Sequence, residues 1–269
     1  MDKVKRGERM AVMAQILTSQ PNRLFTLGYF CDMFSSAKSS ISEDLSMLSA
    51  NMQRYHLGKV ETVAGAAGGV RFRPVCGGEA DREFISGVCD RLMEADRRLP
   101  GGYLYFSDIL ADPQLVKGMG NLIASRYYDT RVDFVLTMET KGIPVALMTA
   151  SALRVPLIIA RHATKVYEGS AVNINYVTGN GSIEGMSLSR RAVSPGQHAL
   201  IVDDFMRGGG TANGMVSLMK EFGVIVEGIC FVLAIEKPRQ TGSANMTSLM
   251  VMKEIKGDEP TLVVPADWI

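Results

Sequence analysis

Residues 199–211 read A-L-I-V-D-D-F-M-R-G-G-G-T, and this stretch decides the fold class of the 269-residue chain. Four apolar residues are typical of a buried strand, and Asp203 and Asp204 follow where that strand is expected to end. Three glycines and Thr211 then lead into a helical pattern over 212–222. In open α/β sheets, ligands bind at the carboxyl ends of strands, beside helix N-termini that attract phosphate. Because carboxylates also accept hydrogen bonds from sugar hydroxyls, the stretch predicts a sugar-phosphate site, with an ordinary βα turn as the alternative.

The same stretch resembles the 5-phosphoribosyl-1-pyrophosphate (PRPP) signature of type I phosphoribosyltransferases, in which a hydrophobic strand precedes two acids and a phosphate loop. The resemblance implies that Asp203 and Asp204 bind the ribose hydroxyls and that 207–211 surrounds the 5-phosphate. The ligand-binding residues implied here are Asp203, Asp204, Phe205, Met206, Arg207, Gly208, Gly209, Gly210 and Thr211.

Arg207 departs from one branch of that family. Enzymes resembling the hypoxanthine type carry an Asp at this position, which serves as the base for the purine ring, and a permanently charged guanidinium cannot take that proton. The sequence therefore predicts ligand binding without an assigned catalytic residue. The adenine and orotate types do not need that acid, so an active transferase stays open as the alternative.

Charge is unevenly distributed along the chain. The whole chain has a net charge of +1, but residues 1–75 hold ten Lys/Arg against six Asp/Glu, whereas the remainder holds nineteen against twenty-two. A basic N-terminal module on a mildly acidic body suggests a polyanionic partner for the first module alone, although a solvated face explains the difference equally well.

Other features of the whole chain argue against a metal-binding, secreted or membrane-spanning protein. The four cysteines and three histidines show no metal-ligand spacing. The widely separated cysteines indicate free, mostly buried thiols in a reducing compartment. No signal peptide and no apolar run of membrane-spanning length is visible, so we expect a cytoplasmic protein without a membrane partner. We assign no metal site and no cofactor, although Mg²⁺ can accompany PRPP.

The first module, residues 1–75, has the order of a winged helix-turn-helix. Three amphipathic helices are predicted, the second capped by Thr26 and the third by a capping box over 40–43. Two alternating segments around a glycine-rich turn then predict a β-hairpin. A small accessory or dimerisation domain is the alternative. The candidate contacts to duplex DNA are Lys38, Ser39 and Ser40 on the third helix, and Lys59, Arg71 and Arg73 on or near the wing.

The second module, residues 76–269, alternates strands and helices, which predicts a largely parallel, doubly wound α/β sheet. After its first strand, Thr140, Lys141 and Gly142 resemble the pyrophosphate loop of the phosphoribosyltransferases. A long insertion over 161–191 resembles the hairpin that closes over their site. Arg161 and Lys165 on it are candidate ligand contacts, with a solvated hairpin as the alternative. Tyr103 and Phe205 are candidates to stack on a purine ring, although core packing is common for such residues.

Together the two modules resemble the purine operon repressors of Gram-positive bacteria, across essentially the whole chain. The residues that carry this resemblance are 37–45, 65–70, 140–144, 169–176 and 203–214. The resemblance implies a homodimer that binds an inverted-repeat DNA operator. It also implies a phosphoribosyltransferase-like domain that senses PRPP, with guanosine tetraphosphate as a competitor. The alternative from another class is an active purine phosphoribosyltransferase with an accessory N-terminal domain.

Overall fold

The structure is a computed structural model that describes residues 4–65, 68–75, 77–99, 103–163, 169–178, 181–236, 246–253 and 261–269. The chain divides into two compact units. One unit extends to Asp81 and includes Ala152–Arg154, and the other contains the remaining residues. The predicted fold class is confirmed for both units.

The N-terminal unit consists of three helices and a hairpin around one apolar core. Phe30, Ile41 and Met13 lie at its centre with no exposed surface. The inner face of the hairpin adds Val60 and Phe72, because alternate residues of a strand point to the same side. Its elements are α1 (Arg6–Ser19), α2 (Leu27–Phe34), α3 (Lys38–Arg54), β1 (Lys59–Val63) and β2 (Gly69–Arg73).

The helix starts confirm one predicted cap and correct the other. The Thr26 hydroxyl accepts a hydrogen bond from the Tyr29 backbone N–H at 3.2 Å, as expected for the N-cap of α2. The capping box over 40–43 is wrong, because α3 already begins at Lys38, with Ala37 as its N-cap and no side-chain cap. Ser40 therefore lies inside the first turn, where its hydroxyl no longer occupies the capping position.

Buried charge fixes α3 against α1. Asp44 on α3 has no exposed surface, and its carboxylate receives the Arg9 guanidinium at 2.7 Å and that of Arg6 at 3.0 Å. Arg9 also donates to the Val4 carbonyl at 2.9 Å. Because a buried charge must be paired, this cluster sets the position of α3 relative to α1.

The second unit contains a six-stranded, mostly parallel sheet in the order β12-β11-β10-β9-β5-β6. Every residue of β5 is buried, since both faces of the sheet are covered. The helices that lie wholly or mostly in it are α4 (Glu79–Leu92), α5 (Ser107–Ala111), α6 (Pro113–Ser125), α7 (Ile143–Leu153) and α8 (Gly210–Glu221). Its strands are β3 (Arg98–Leu99), β4 (Tyr103–Leu104), β5 (Phe134–Met138), β6 (Leu157–Ala160), β7 (Ala171–Val177), β8 (Ile183–Ser189), β9 (His198–Met206), β10 (Ile225–Ile235), β11 (Met246–Met252) and β12 (Val263–Pro265).

The central strand β9 is longer than the sequence predicts. It continues through both acids to Met206, because β10 pairs with it as far as Leu233 opposite Phe205 and Ala234 opposite Met206. Asp203 and Asp204 are therefore strand residues, and their side chains leave opposite faces of the sheet. The expectation that the strand ends before the two acids is wrong.

The predicted long hairpin is formed by β7 and β8, which pair from Ala171 opposite Ser189 to Val177 opposite Ile183. Its end packs on the start of α8. A Cβ on Gly210 would lie 2.9 Å from the Thr178 Cα and nearer still to the Val177 carbonyl, and a Cβ on Gly214 would lie 2.9 Å from the Tyr176 ring. The absence of side chains at these two glycines therefore lets the hairpin reach the helix.

No helix among the described residues is long and apolar enough to cross a membrane. Cys89 and Cys230 are buried free thiols, and Cys31 is half-buried, whereas Cys76 lies outside the described residues. Burial raises the pKa of Cys230 to about 11, so this thiol stays protonated and unreactive at neutral pH.

Candidate functional site

A cavity of about 290 Å³ lies at the carboxyl end of β9, in the second unit. This is the position at which open α/β sheets bind ligands. The cavity is lined by Tyr103, Leu104, Phe106, Lys141, Thr178, Asp204, Phe205, Met206, Arg207, Gly208, Gly209, Gly210, Thr211, Ala212 and Phe231. Most of the predicted ligand residues are thus brought together around one space.

The glycine loop supplies a helix N-terminus to this cavity. Gly209 is the N-cap of α8 and adopts φ 74°, a left-handed conformation that a residue without a Cβ adopts readily. No side chain caps the helix, so the backbone N–H groups of its first turn are left without capping partners. Such N–H groups, together with the helix dipole, suit a phosphate.

The two acids occupy different environments. Asp204 lines the cavity, whereas Asp203 is 6% exposed and does not line it. Burial raises the pKa of Asp203 well above the ordinary aspartate value, and the Asp204 charge raises it further. Burial also raises the pKa of Asp204, although the nearby Lys141 charge acts in the opposite direction. The same ribose-binding role was predicted for both acids, but of the two only Asp204 lines the cavity.

The predicted pyrophosphate loop contributes Lys141 to the lining, but exposed Thr140 and buried Gly142 do not line the cavity. A Cβ on Gly142 would lie 2.5 Å from the Thr137 hydroxyl oxygen and closer still to an Asp203 carboxylate oxygen. Gly142 is therefore required by packing, because its backbone presses on the buried acid. The Glu139–Thr140 peptide bond in this loop is cis.

Aromatic rings and one guanidinium form the wall of the cavity. The Arg207 guanidinium lies 4.7 Å from the centroid of the Tyr103 ring, within the range of a cation–π contact. Phe205 packs against Phe106, with ring centroids 6.0 Å apart. Tyr103 is half exposed, so one face of its ring is covered by Arg207 while part of the ring meets solvent.

Five lining residues are not predicted from the sequence: Leu104, Phe106, Thr178, Ala212 and Phe231. Phe106 stands three residues after Tyr103 in an aromatic-rich segment, which is a usable signal. Thr178 reaches the cavity only because the β7–β8 hairpin packs on Gly210, and no local pattern predicts that contact.

Of the two predicted hairpin contacts, the described one, Arg161, does not line the cavity. Arg161 pairs with the Glu139 carboxylate at 3.2 Å, and its backbone bonds to Ser187 on β8. Lys165 lies outside the described residues. No group of three or more His, Cys, Asp or Glu side chains that could hold a metal ion occurs within the part of the chain that the structure describes.

The candidate DNA contacts on α3 lie at its exposed start. Lys38 and Ser39 are exposed, and Ser40 is half-buried. Because α3 begins at Lys38, these side chains stand on its first turn, where the helix dipole favours a phosphate.

The candidate contacts on the hairpin share its outer face. Lys59 is exposed, but Arg71 and Arg73 both pair with Glu61, at 2.7 Å and 3.2 Å. The side chains of these two arginines are 22% and 14% exposed. Lys59, Glu61, Arg71 and Arg73 alternate with the core residues of the hairpin, so they point away from the apolar interior.

Comparisons with known proteins match both units. The family model described as "Bacterial purine repressor, N-terminal" matches residues 5–74, and the "Phosphoribosyl transferase domain" model matches residues 106–267. The "Purine biosynthesis transcriptional repressor PurR" of Bacillus subtilis is 39% identical over 97% of this chain and 92% of that protein. The "Purine biosynthesis transcriptional activator PurR" of Lactococcus lactis subsp. lactis is 43% identical over 86% of this chain and 85% of that protein.

Among solved structures, adenine phosphoribosyltransferase from Thermoanaerobacter pseudethanolicus superimposes with a TM-score of 0.54. The match covers 62% of this chain and 98% of that chain at 20% identity. Identity this low shows a shared fold for the second unit and carries no inference about activity.

Proposed function

Because this chain belongs to the family of bacterial purine biosynthesis transcriptional regulators, we propose that it is a repressor whose operator affinity is lowered by PRPP. Regulation of purine biosynthesis at the level of transcription follows from the family, whose members include both repressors and activators. The direction of control and the effector are the proposal. The observation that carries it is the cavity at the end of β9, whose lining combines a glycine loop, the Asp204 carboxylate and two cations, Lys141 and Arg207.

The lining residues suit the parts of PRPP. The uncapped start of α8 offers N–H groups to the 5-phosphate, and the Asp204 carboxylate can accept hydrogen bonds from the ribose hydroxyls. Lys141 supplies a positive charge for the diphosphate. Asp203 does not contact the ligand; its close contact with Gly142 positions the loop that bears Lys141.

Arg207 favours a role for the cavity in binding the effector without catalysis. A guanidinium stacked on Tyr103 cannot accept a proton from a purine ring, whereas it can pair with a phosphate or with the acceptor edge of a base. Guanosine tetraphosphate, with its own phosphates and purine ring, would compete for the same cavity and favour repression. An active transferase remains the second candidate, because the cavity retains the acid and the phosphate loop.

DNA binding by the first module, residues 1–75, is proposed to begin at Lys38, Ser39 and Ser40, with the cations of the hairpin close to the duplex. Residues 76–269 are proposed to bind the effector, and the protein to act as a homodimer on an inverted repeat. PRPP would shift the equilibrium between two states only if it bound them with different affinities.

The proposal is tested by gel shifts on purine-gene promoters with and without PRPP, alongside an assay for nucleotide formation from PRPP and each purine base. We expect PRPP to release the protein from DNA and no nucleotide to form. The variant Asp203→Ala/Asp204→Ala should bind the operator and ignore PRPP. If PRPP still releases this variant, the cavity is not the effector site, and steady nucleotide formation by the wild type would establish the transferase instead.

A further inference from the structure

The two faces of the β7–β8 hairpin differ in burial. Tyr176 is buried on β7, and Glu184 lies directly opposite it on β8. The Tyr176 hydroxyl donates to the Glu184 carboxylate at 3.0 Å, which joins the two strands through their side chains. Val177 and Ile183 are exposed and form the next cross-strand pair, so their side chains point to the opposite face of the hairpin.

The buried face of the hairpin packs on α8 at two glycines. The Tyr176 ring covers Gly214, where an added Cβ would lie 2.9 Å from the ring. One turn earlier on the same side of the helix, an added Cβ on Gly210 would lie 2.9 Å from the Thr178 Cα. Relaxed carbon contacts lie near ~3.5–4.0 Å, so a side chain at either position would push the hairpin away. Residues 176–178 are therefore seated on the first turns of α8.

The Tyr176 phenol connects the hairpin to the start of α8. Burial raises the pKa of Tyr176, and the hydrogen bond to the Glu184 carboxylate raises it further, whereas a hydrogen bond with the Thr211 hydroxyl lowers it. The phenol is therefore protonated at neutral pH and remains a donor to Glu184. Thr211 belongs to the first turn of α8 and lines the cavity at the end of β9.

Thr178 is a hairpin residue that lines the same cavity. Its backbone N–H donates to the Ser182 carbonyl at 2.8 Å, which extends the pairing of the two strands beyond Val177. The hydroxyl oxygens of Thr178 and Ser182 lie 2.7 Å apart, and either can donate. When Ser182 donates, the Thr178 proton is available to a ligand. Thr178 thus presents a donor beside the start of α8.

We propose that Tyr176 is a positioning residue of the effector site, which seats the hairpin on α8 and so brings Thr178 to the 5-phosphate of PRPP. This inference rests on the proposed function, in which the start of α8 binds that phosphate. A hydroxyl that donates to a phosphate forms a charge-assisted hydrogen bond, which is stronger than a neutral one. Tyr176 does not line the cavity, so its effect on the ligand passes through Thr178.

A charge inserted at Thr178 reports whether the hairpin is seated. Thr178→Lys adds a cation beside the start of α8, so PRPP affinity should rise by about fivefold, equivalent to about 1 kcal/mol. Ile183→Lys is the matched control, because Ile183 is exposed on the opposite face of the same hairpin, and it should leave the affinity unchanged. Isothermal titration calorimetry at about 0.15 M KCl measures both, since this salt screens attraction over longer distances.

Variants of Tyr176 test whether this residue does the seating. Tyr176→Ala removes the ring from Gly214, so adding Thr178→Lys to this variant should give no gain in PRPP affinity. Tyr176→Phe keeps the ring in place, and most of the gain from Thr178→Lys should return. The comparison of each double variant with its own parent isolates the coupling between the two positions from any general loss of affinity.

Gly214→Ala perturbs the same contact without removing the ring. The added methyl displaces Tyr176 from α8, so the gain from Thr178→Lys should also fall in this variant. Melting temperatures establish which variants fold, and Gly214→Ala provides the test if Tyr176→Ala does not.

The outcomes separate this positioning role from the wider function. If Thr178→Lys and Ile183→Lys behave alike, Thr178 does not reach the phosphate and the proposal is wrong. If the full gain persists in folded Tyr176→Ala or Gly214→Ala, Tyr176 does not position the hairpin. If the wild-type protein does not bind PRPP, the proposed effector function itself fails, whatever the variants do.

Discussion

The contact between Gly142 and Asp203 makes a quantitative prediction for Gly142→Ala. The added methyl would stand 2.5 Å from the Thr137 hydroxyl oxygen and closer still to an Asp203 carboxylate oxygen, whereas relaxed carbon contacts lie near ~3.5–4.0 Å. Thr137 and Asp203 belong to the buried central strands β5 and β9, so neither can move by the required ångström without disturbing the sheet. Overpacking of this kind costs about 1–3 kcal/mol of unfolding free energy.

The same displacement should reach the cavity. The methyl pushes the loop outward and carries Lys141 with it, so we expect PRPP affinity to fall by at least about tenfold, equivalent to about 1.4 kcal/mol. Urea unfolding followed by circular dichroism measures the first quantity, and isothermal titration calorimetry with PRPP measures the second.

Gly87→Ala is the matched control. Gly87 is exposed within α4, and a Cβ there meets nothing within 4 Å. Helix propensity alone should stabilise this variant by up to about 1 kcal/mol, and PRPP binding should not change. Wild-type stability and wild-type PRPP affinity in Gly142→Ala would refute the reasoning, because the loop would then not be held against the acid.

Three further changes have defined outcomes. Asp44→Ala leaves Arg9 buried without its carboxylate and should cost about 3–5 kcal/mol in denaturant unfolding, whereas Glu43→Ala, which breaks an exposed pair with Arg6, should cost less than about 1 kcal/mol. Because burial raises the pKa of Asp203, the native state binds that proton more tightly than the unfolded chain. The resulting stability is present below about pH 4 and lost as pH rises through the folded-state pKa, so Asp203→Asn should flatten that decline in a pH series of unfolding curves. Lys38→Ala should weaken binding to every duplex and reduce the salt slope by about 0.9, and unchanged affinity would show that the first turn of α3 does not meet phosphate.

The regular elements could be read from the sequence because their signals are local. The stripe of α3, the hairpin over 59–73 and the helix over 143–153 each follow from spacing within a few residues. The edge strand β12 could not, because Val263–Pro265 is three residues long and pairs antiparallel with β11 only through tertiary contact.

The same distinction holds within the candidate site. The glycine loop, Asp204 and Lys141 carry local signatures, and the structure gathers them around one cavity. The burial of Asp203 depends on how far β9 extends, which is decided by its pairing with β10. A predicted strand that included both acids would have placed their carboxylates on opposite faces of the sheet, because successive side chains of a strand alternate.

Gly210 shows that a glycine within a ligand-binding motif can be required by packing against another part of the fold. Its missing side chain makes room for the backbone at Val177 and Thr178, whereas Gly209 supplies the left-handed turn that starts α8. A descendant of this chain that no longer bound any phosphate would still need glycine at 210 for as long as the hairpin packed there. Glycines at 209 and 210 therefore indicate the fold and do not by themselves indicate ligand binding. The residues at positions 141, 204 and 207, which line the cavity with charged side chains, are better indicators of ligand-binding members of such a family.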